Sequence, residues 1–214
     1  MLAKAKYSVA AVASTAVACA ALALTSASAM AATNHVLYNA DGTTVTPVGT
    51  TFDASSSSVQ LSNSAITVNC PMDVPGTVTD NGSSSGIPTA NVSPTFGGSG
   101  ACSTNVLLSA TTTGNNEPWV LTMPTSGNPG TVTGVDVTIN VGGIFTCEYN
   151  ESGADQVYGT WTNGSPSTVA LYGNLKYKSG SGTLVCGKTG SITGTVAIDS
   201  TSTPGNNLLI LPAP

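Results

Sequence analysis

Short segments in which apolar and polar residues alternate recur along this chain, and they constrain its fold more than any other feature. Clear cases are Gly130–Val141, Thr168–Lys176 and Ser191–Ile198. A period of two puts successive side chains on opposite faces of a strand, whereas an amphipathic helix needs a period of about 3.6. Turn-forming pairs such as Asn81-Gly82 and Asn163-Gly164 separate the segments. The pattern predicts a chain built from strands.

Composition supports the same fold class. Gly and Pro together are frequent, at 24 and 12 of 214 residues, while strong helix formers are scarce. Many short strands at close spacing are typical of an all-β sandwich or barrel. We predict a single antiparallel β-sandwich, Greek-key or jelly-roll-like, stapled by two disulfides. Its predicted strands include Ser58–Leu61, Val106–Thr112, Ile144–Tyr149 and Gly182–Cys186.

The N-terminus has the pattern of a secretory signal peptide. Lys4 and Lys6 precede the apolar run Val9–Leu24, and small-residue cleavage signals follow it. The run is shorter than the roughly 20 residues that span a bilayer, and no second apolar span follows. We therefore expect residues 1–31 to be cleaved, leaving a secreted or cell-envelope protein with no transmembrane segment.

The mature chain divides into two predicted parts. Residues 32–57 are expected to hold an N-terminal strand and a linker, because they end in the serine run Ser55–Ser58. Residues 58–214 form the predicted β-sandwich domain. This length suits one domain with a substantial core.

The charge of the mature chain argues against anionic partners. The whole sequence carries a formal charge of −5, and losing Lys4 and Lys6 takes it to −7. Lys176, Lys178 and Lys188 are then the only cations, and there is no arginine. Such a surface repels phosphate backbones and anionic headgroups. We exclude nucleic acid as a partner.

Four cysteines remain after cleavage: Cys70, Cys102, Cys147 and Cys186. An even number in an exported chain indicates two disulfides, and three connectivities are possible. Zinc binding is the alternative, but the chain has no Cys-x-x-Cys and the spacings do not suit a zinc site. Sequential pairing, Cys70 with Cys102 and Cys147 with Cys186, is the pairing we prefer.

Candidate catalytic groups are few. His35 is the only mature imidazole, and the Gly-x-Ser-x-Gly pattern at 82–86 lies in a serine-rich loop without the strand and helix of a nucleophile elbow. Glu117, Glu148 and Glu151 could flank a sugar groove as acid and base, although their spacing suits solvated loop ends equally well. We predict no catalytic residue, and a secreted glycan-active enzyme is the least favoured reading.

Metal and cofactor sites are not expected. Calcium is conceivable at Asp73 and Asp80, or at Glu148, Glu151 and Asp155, since hard oxygen ligands gather there. No EF-hand or other ordered ligand loop appears, so we predict neither a metal nor a cofactor.

Trp119 and Trp161 are the largest apolar side chains in an aromatic-poor sequence. They could form a surface platform for carbohydrate or hydrocarbon, or pack in the core, and we favour the core. Asp136 shares a strand face with Thr138, opposite Val135 and Val137, so we place it on the wetter face.

The order of these features resembles the PraB-like secreted proteins, which are named for activating alkane oxidation. The resemblance rests on Ile66–Cys70, Cys102, the Pro118-Trp119 strand, Cys147, the Thr160–Ser165 segment and Cys186, and it covers roughly residues 58 to 198. Residues 32–57 and the tail from Asn206 are extra.

The resemblance implies a non-enzymatic exported or cell-surface accessory protein, linked to hydrocarbon use or to surface and biofilm behaviour. Its implied partners are hydrophobic surfaces, envelope components or the protein itself. A second hypothesis is a self-assembling or adhesin-like subunit, in which the apolar segment Asn207–Leu211 completes a neighbour's sheet by strand addition. The rival for that segment is an edge strand within its own domain.

Overall fold

A computed structural model describes residues 34–97, 101–124, 127–181, 183–199 and 207–214. The signal peptide predicted for residues 1–31 lies outside the described residues. The described residues form fifteen strands and one helix of four residues, α1 (Thr183–Cys186). In chain order the strands are β1 His35–Tyr38, β2 Thr51–Ser62, β3 Thr67–Asp80, β4 Thr89–Val92, β5 Thr95–Phe96, β6 Ser103–Thr104, β7 Ala110–Asn115, β8 Trp119–Thr122, β9 Pro129–Thr133, β10 Asp136–Val141, β11 Phe145–Asn150, β12 Val157–Thr162, β13 Ser167–Gly180, β14 Thr189–Asp199 and β15 Leu209–Pro212.

Eight of these strands close into a barrel. Their order around the ring is β12, β9, β8, β4, β3, β2, β14 and β13, and the pairing of β12 with β13 completes it. The all-β class is confirmed, but the predicted sandwich is wrong. Alternation gives each strand one apolar face whether two sheets pack together or one sheet closes, so the pattern alone does not separate the two folds.

Closure depends on β13, which is long enough for two different strands to pair with it along the same edge. Its first half pairs with β12, from Thr168 to Gly173, and its end pairs with β11, from Lys176 to Gly180. Its other edge pairs with β14 along Ser167–Lys176. The same strand therefore closes the barrel and carries a second sheet beyond it.

The second sheet and the disulfides make up a region that we call the disulfide lobe. It comprises β5, β6, β7, β10, β11, α1 and the strand ends of β3 and β13 to which they attach. One disulfide joins Cys70 of β3 to Cys102, and the other joins Cys147 of β11 to Cys186 of α1. The preferred sequential pairing is confirmed.

At the opposite end of the barrel, β1 and β15 form a two-stranded sheet that we call the cap. Leu37 and Ile210 of the cap are buried. The Asn163 side chain binds β15 by accepting from the Ile210 N–H at 2.9 Å and donating to the Ile210 carbonyl at 2.8 Å. Ser167 Oγ donates to the Leu208 carbonyl at 2.7 Å. These bonds dock the C-terminal strand on its own chain.

Two strand predictions were wrong for local reasons. Gly130–Val141 is not one strand, because the chain bends at Gly134, whose φ of 83° is in the left-handed region that favours glycine. Thr183–Cys186 is a helical turn within the predicted strand Gly182–Cys186, where the chain brings Cys186 to β11.

The linker prediction also missed a strand. β2 begins at Thr51 and runs through the serine run Ser55–Ser58, so the division drawn at residue 57 falls inside a strand. Its pairing with β3 shifts register between Ser56 and Val59, and β14 shifts on the other side between Gly194 and Ala197. The serines occupy this bulge, where the hydroxyl-bearing side chains face outward or sit half-exposed instead of filling the core.

Candidate functional site

The barrel interior contains a cavity of about 40 Å³ lined by apolar residues. All eight barrel strands contribute to its wall, so the cavity lies on the barrel axis. The lining residues are Phe52, Ala54, Met72, Val74, Val92, Pro94, Trp119, Leu121, Val132, Val157, Val169, Leu171, Ile192, Val196 and Ile198.

One side of this wall depends on a glycine. Phe52 and Gly76 are paired directly across β2 and β3, and both are buried. A Cβ atom at Gly76 would lie 2.2 Å from Cζ of the Phe52 ring. The ring therefore lies flat across Gly76, which leaves room for the cavity beside it.

A second feature is a group of exposed apolar side chains that we call the apolar tip: Leu107, Leu108 and Ile144. Their exposed fractions are 106 %, 39 % and 62 %. Leu107 and Leu108 lie in the loop before β7, and Ile144 lies in the turn between β10 and β11. The two segments meet, because the Gly142 N–H donates to the Ser109 carbonyl at 2.7 Å and Gly142 lies against the Leu108 side chain.

The loop that carries Leu107 and Leu108 is held in place by hydrogen bonds. Thr104 Oγ1 donates to the carbonyls of Val106 and Leu108, and Thr67 N–H donates to the Asn105 side chain at 2.9 Å. The Cys70–Cys102 disulfide fixes the chain just before it. Apolar side chains held at the end of a lobe in this way cannot fold back into the core without breaking these bonds.

The lobe also contains a charge cluster of Asp136, Lys178 and Glu148. Lys178 Nζ lies 2.8 Å from Asp136 Oδ2 and 2.6 Å from Glu148 Oε1. Asp136 accepts two further bonds, from Asn115 at 3.0 Å and Asn116 at 2.9 Å. Hydrogen bonds to the two carboxylates raise the pKa of Lys178 to about 12, and Lys178, followed by Ser179, lowers the pKa of Glu148.

The placement of Asp136 on a wetter face was wrong. It does share a face with Thr138, but only 2 % of it is exposed, because Lys178 and the two asparagines cover that face. The cluster is satisfied internally, and each of its members has a partner within the protein. It supports the lobe and offers no free group for chemistry.

The three candidate acid–base residues have different roles. Glu148 is held by Lys178 and by the hydroxyl of Ser179. Glu151 Oε1 accepts from the Gly134 N–H at 3.0 Å, at the bend between β9 and β10. Glu117 is exposed at the entry to β8, and partial burial raises the pKa of its carboxyl.

The other candidates for chemistry are spread over β1, β3 and the loop after β3. The backbone N–H of His35 donates to the Gly86 carbonyl, and the hydroxyls of Ser83 and Ser85 bond within their own loop. Asp80 Oδ1 accepts from the Gly82 N–H, while Asp73 is exposed on β3. Across the part of the chain that the structure describes, no group of three or more His, Cys, Asp or Glu side chains is placed to hold a metal ion.

Both tryptophans lie in the core, as favoured. Trp161 is 1 % exposed and donates to the Asn163 side chain at 3.0 Å, which links the barrel core to the cap. Trp119 is 4 % exposed, lines the cavity, and donates to the Asn115 carbonyl at 2.9 Å. Neither is a surface platform.

The apolar tip was missed by the sequence analysis. Val106–Thr112 and Ile144–Tyr149 were both predicted to be strands, in which alternate side chains would face the core. The strands begin only at Ala110 and Phe145. The available signal was the position of Leu107, Leu108 and Ile144 at the first residues of their segments, beside asparagine and glycine turns.

Comparison with known proteins gives one match. The family model described as alkane oxidation protein activator PraA/PraB-like matches residues 7–199. No curated protein and no solved structure matches the chain. No helix in the described ranges has the length and apolar character to cross a membrane.

The match includes both disulfides, both tryptophans, every strand of the barrel and the apolar tip; it stops before β15. It therefore covers the whole of the site described above. The sequence resemblance to this family is confirmed, but residues 32–57 lie within the match and are not extra, as had been expected. The family is named for activating alkane oxidation, a name that is consistent with a role in the use of hydrocarbons. The chain belongs to the PraA/PraB-like family of alkane oxidation protein activators.

Proposed function

We propose that this protein is an exported, non-enzymatic accessory of alkane oxidation that adsorbs to the hydrocarbon–water interface through the apolar tip. The observation that carries the proposal is the position of Leu107, Leu108 and Ile144, which stand exposed together at one end of a rigid lobe. Two disulfides are typical of proteins outside the cytoplasm, where such an interface would be met.

The size of the tip supports reversible adsorption. Fully burying one Leu or Ile side chain is worth about 1.5–3 kcal/mol. The three exposed fractions of the tip correspond to roughly two full side chains, or about 3–6 kcal/mol if the oil phase covers them. A single myristoyl chain, which binds membranes marginally and reversibly, lies in the same range. The tip is therefore suited to adsorption on oil droplets, and washing can reverse that adsorption.

Electrostatics favours the same kind of surface. The chain has few charged residues, at 7 %, and an excess of acidic ones. Adsorption to bare hydrocarbon needs no positive charge on the protein, whereas anionic headgroups would repel this acidic protein. Hydroxyl and amide groups over the rest of the surface keep the protein soluble while the tip is in contact with oil.

The test compares the variant L107S/L108S/I144S with the wild type at a hexadecane–water interface. Pendant-drop tensiometry should show the wild type lowering the interfacial tension at micromolar concentration and the variant lowering it several-fold less. The control is V48S/I87S, which removes apolar side chains that are 59 % and 47 % exposed near the cap. Equal activity of the tip variant and the wild type would disprove the proposal, as would equal losses in both variants.

A growth experiment extends the test to the role in the cell. A host lacking the gene would be complemented with the wild type or the tip variant and grown on a long-chain alkane or on a soluble carbon source. We expect the tip variant to restore growth on the alkane poorly, with no difference on the soluble source. Full complementation by the tip variant would mean that adsorption is not how the protein acts.

Strand addition has no comparable support. β15 pairs with β1 along His35–Tyr38, and Leu208 and Ile210 are buried in the cap. Donating this strand to a neighbour would break those pairings and the bonds from Asn163. The edge-strand alternative is the arrangement that the structure has.

A further inference from the structure

We propose that the barrel cavity is a binding site for a short linear alkyl group, such as the end of an n-alkane chain. The proposal rests on the interior of the barrel and does not depend on the apolar tip. Every side chain in the wall is apolar except for one indole nitrogen.

That nitrogen is already engaged. Trp119 Nε1 donates to the Asn115 carbonyl at 2.9 Å, so it has no hydrogen left to offer to a guest. A water molecule inside a protein generally needs two to four polar partners. The cavity offers none, and a cavity of this kind stays dry and accepts apolar guests. The chemistry of the wall therefore selects for hydrocarbon and against water, sugars and ions.

The volume sets the size of the guest. A water-sized atom needs about 10–15 Å³ of such space. A carbon group is larger than water: an engineered cavity of about 150 Å³ holds the six carbons of benzene, or about 25 Å³ for each carbon. The cavity of about 40 Å³ thus takes the last one or two carbons of a chain, and the rest of the chain, including the third carbon of propane, lies towards the surface groove.

The position of the cavity also suits a chain end. Phe52 lines the cavity and also lines a surface groove with Thr51, Asp53 and Pro118. The Phe52 ring is 2 % exposed and packs over Gly76, so it lies between the groove and the cavity. On this proposal a chain lies in the groove and reaches the cavity by displacing this ring.

The test uses the intact disulfide-bonded protein and methyl NMR spectra recorded under propane, xenon or argon. Under propane we expect saturable shift changes at Leu121, Val132 and Val157, which line the cavity, and none at Leu175, which is buried elsewhere. No response to propane would overturn the proposal. So would a response to xenon alone, because that result describes a packing void that rejects a carbon chain.

Two variants of cavity residues, with one control variant at another buried site, make the test more specific. Ala54→Leu places a larger side chain in the cavity and should weaken propane binding at least tenfold. Leu121→Ala enlarges the cavity and should admit n-pentane, while Leu175→Ala, the same deletion at another buried site, should not. Binding of n-pentane by both deletions would contradict a defined site. If Ala54→Leu fails to fold, the wild-type propane titration still decides.

The result is separable from the proposed function. The tip variant L107S/L108S/I144S should keep its propane shifts even though it adsorbs poorly to hexadecane. Propane shifts that disappear in the tip variant would place the binding at the tip and overturn the interior site. Loss of adsorption with normal propane binding would leave the interior site intact.

Discussion

In the barrel every strand has a hydrogen-bonded neighbour on both edges, whereas the sheet of the disulfide lobe ends at β7. Closure gives the barrel an interior of apolar side chains that needs no covalent support. The lobe has an open edge, a buried carboxylate at Asp136 and both disulfides. The difference shows that one chain uses closure where it can and covalent links where its sheet stays open.

The polar groups divide in the same way. The charge cluster of Asp136, Lys178 and Glu148 lies in the lobe. The Tyr149 hydroxyl donates to the Cys186 carbonyl and accepts from Asn63, which fastens α1 to β11. The lobe thus depends on specific partners, and the barrel depends on the area of apolar surface that it buries.

Removing the disulfides should have the largest effect and should separate the two regions. The loops that they close span 32 and 39 residues, so each contributes about 4 kcal/mol to the free energy of unfolding by loop entropy. We expect reduction to raise amide hydrogen exchange first in β7, β10 and β11, while β8, β9 and β12 remain protected. The measurement is hydrogen exchange by mass spectrometry, with and without reductant.

The comparison breaks if exchange rises equally in both regions, because barrel and lobe would then unfold as one unit. The matched variants C70A/C102A and C147A/C186A refine it. The second pair should loosen α1 and β11, and the first should loosen the segment before β6 and the apolar tip. Faster exchange in β8, β9 and β12 in either variant would mean that the covalent links support the barrel instead.

Replacing Asp136 should have an intermediate effect. Asp136→Ala removes the hydrogen bonds that two asparagine amides and the Lys178 ammonium make to one carboxylate, although Asn115 keeps Thr138 and Lys178 keeps Glu148. Losing a hydrogen bond to a charged group costs about 1.5–3 kcal/mol in the free energy of unfolding. Chemical denaturation would measure it, with Asp73→Ala as the control, since Asp73 is an exposed aspartate in a barrel strand. A loss as large at Asp73 would remove the distinction between the two regions.

The sequence was sufficient for features set by neighbouring residues. Alternation gave the strand class, and the cysteine count together with sequential pairing gave both disulfides. Trp119 and Trp161 are the largest apolar side chains in an aromatic-poor sequence, which favoured the core, and both lie there. Each of these follows from local pattern or from the cost of exposing a large apolar surface.

The remaining features depend on contacts between residues far apart in the chain. Barrel closure requires that β12 and β14 flank β13, and the burial of Asp136 requires Lys178, 42 residues away. The apolar tip requires that two loops meet at Gly142 and Ser109. No local pattern encodes these juxtapositions, so a sandwich, an aspartate on the wetter face and a strand that begins at Val106 were all consistent with the same residues.

The smallest expected effect is a pH dependence that differs between the lobe and the cap. Lys178 and Ser179 hold the pKa of Glu148 below its ordinary value of 4.5. A carboxylate with a lowered folded pKa stabilises the native state above the unfolded pKa, and this contribution is lost as the pH falls through the folded pKa. Thermal unfolding between pH 6 and pH 3 should therefore show a shallower fall for Glu148→Gln than for the wild type.

Asp41 in the turn after β1 provides the matched control at the cap. Bonds from Thr44 and Thr43 lower its pKa to about 2, so its contribution is lost only as the pH falls from the unfolded value towards 2. Asp41→Asn should then change the fall in thermal stability mainly at lower pH than Glu148→Gln does. In hydrogen exchange at pH 3, Glu148→Gln should remove the extra acid sensitivity of β11 and the end of β13, and Asp41→Asn should leave it in place. If both variants reduce the acid sensitivity of hydrogen exchange in the same strands, acid acts on the whole fold, and the lobe has no electrostatic support of its own.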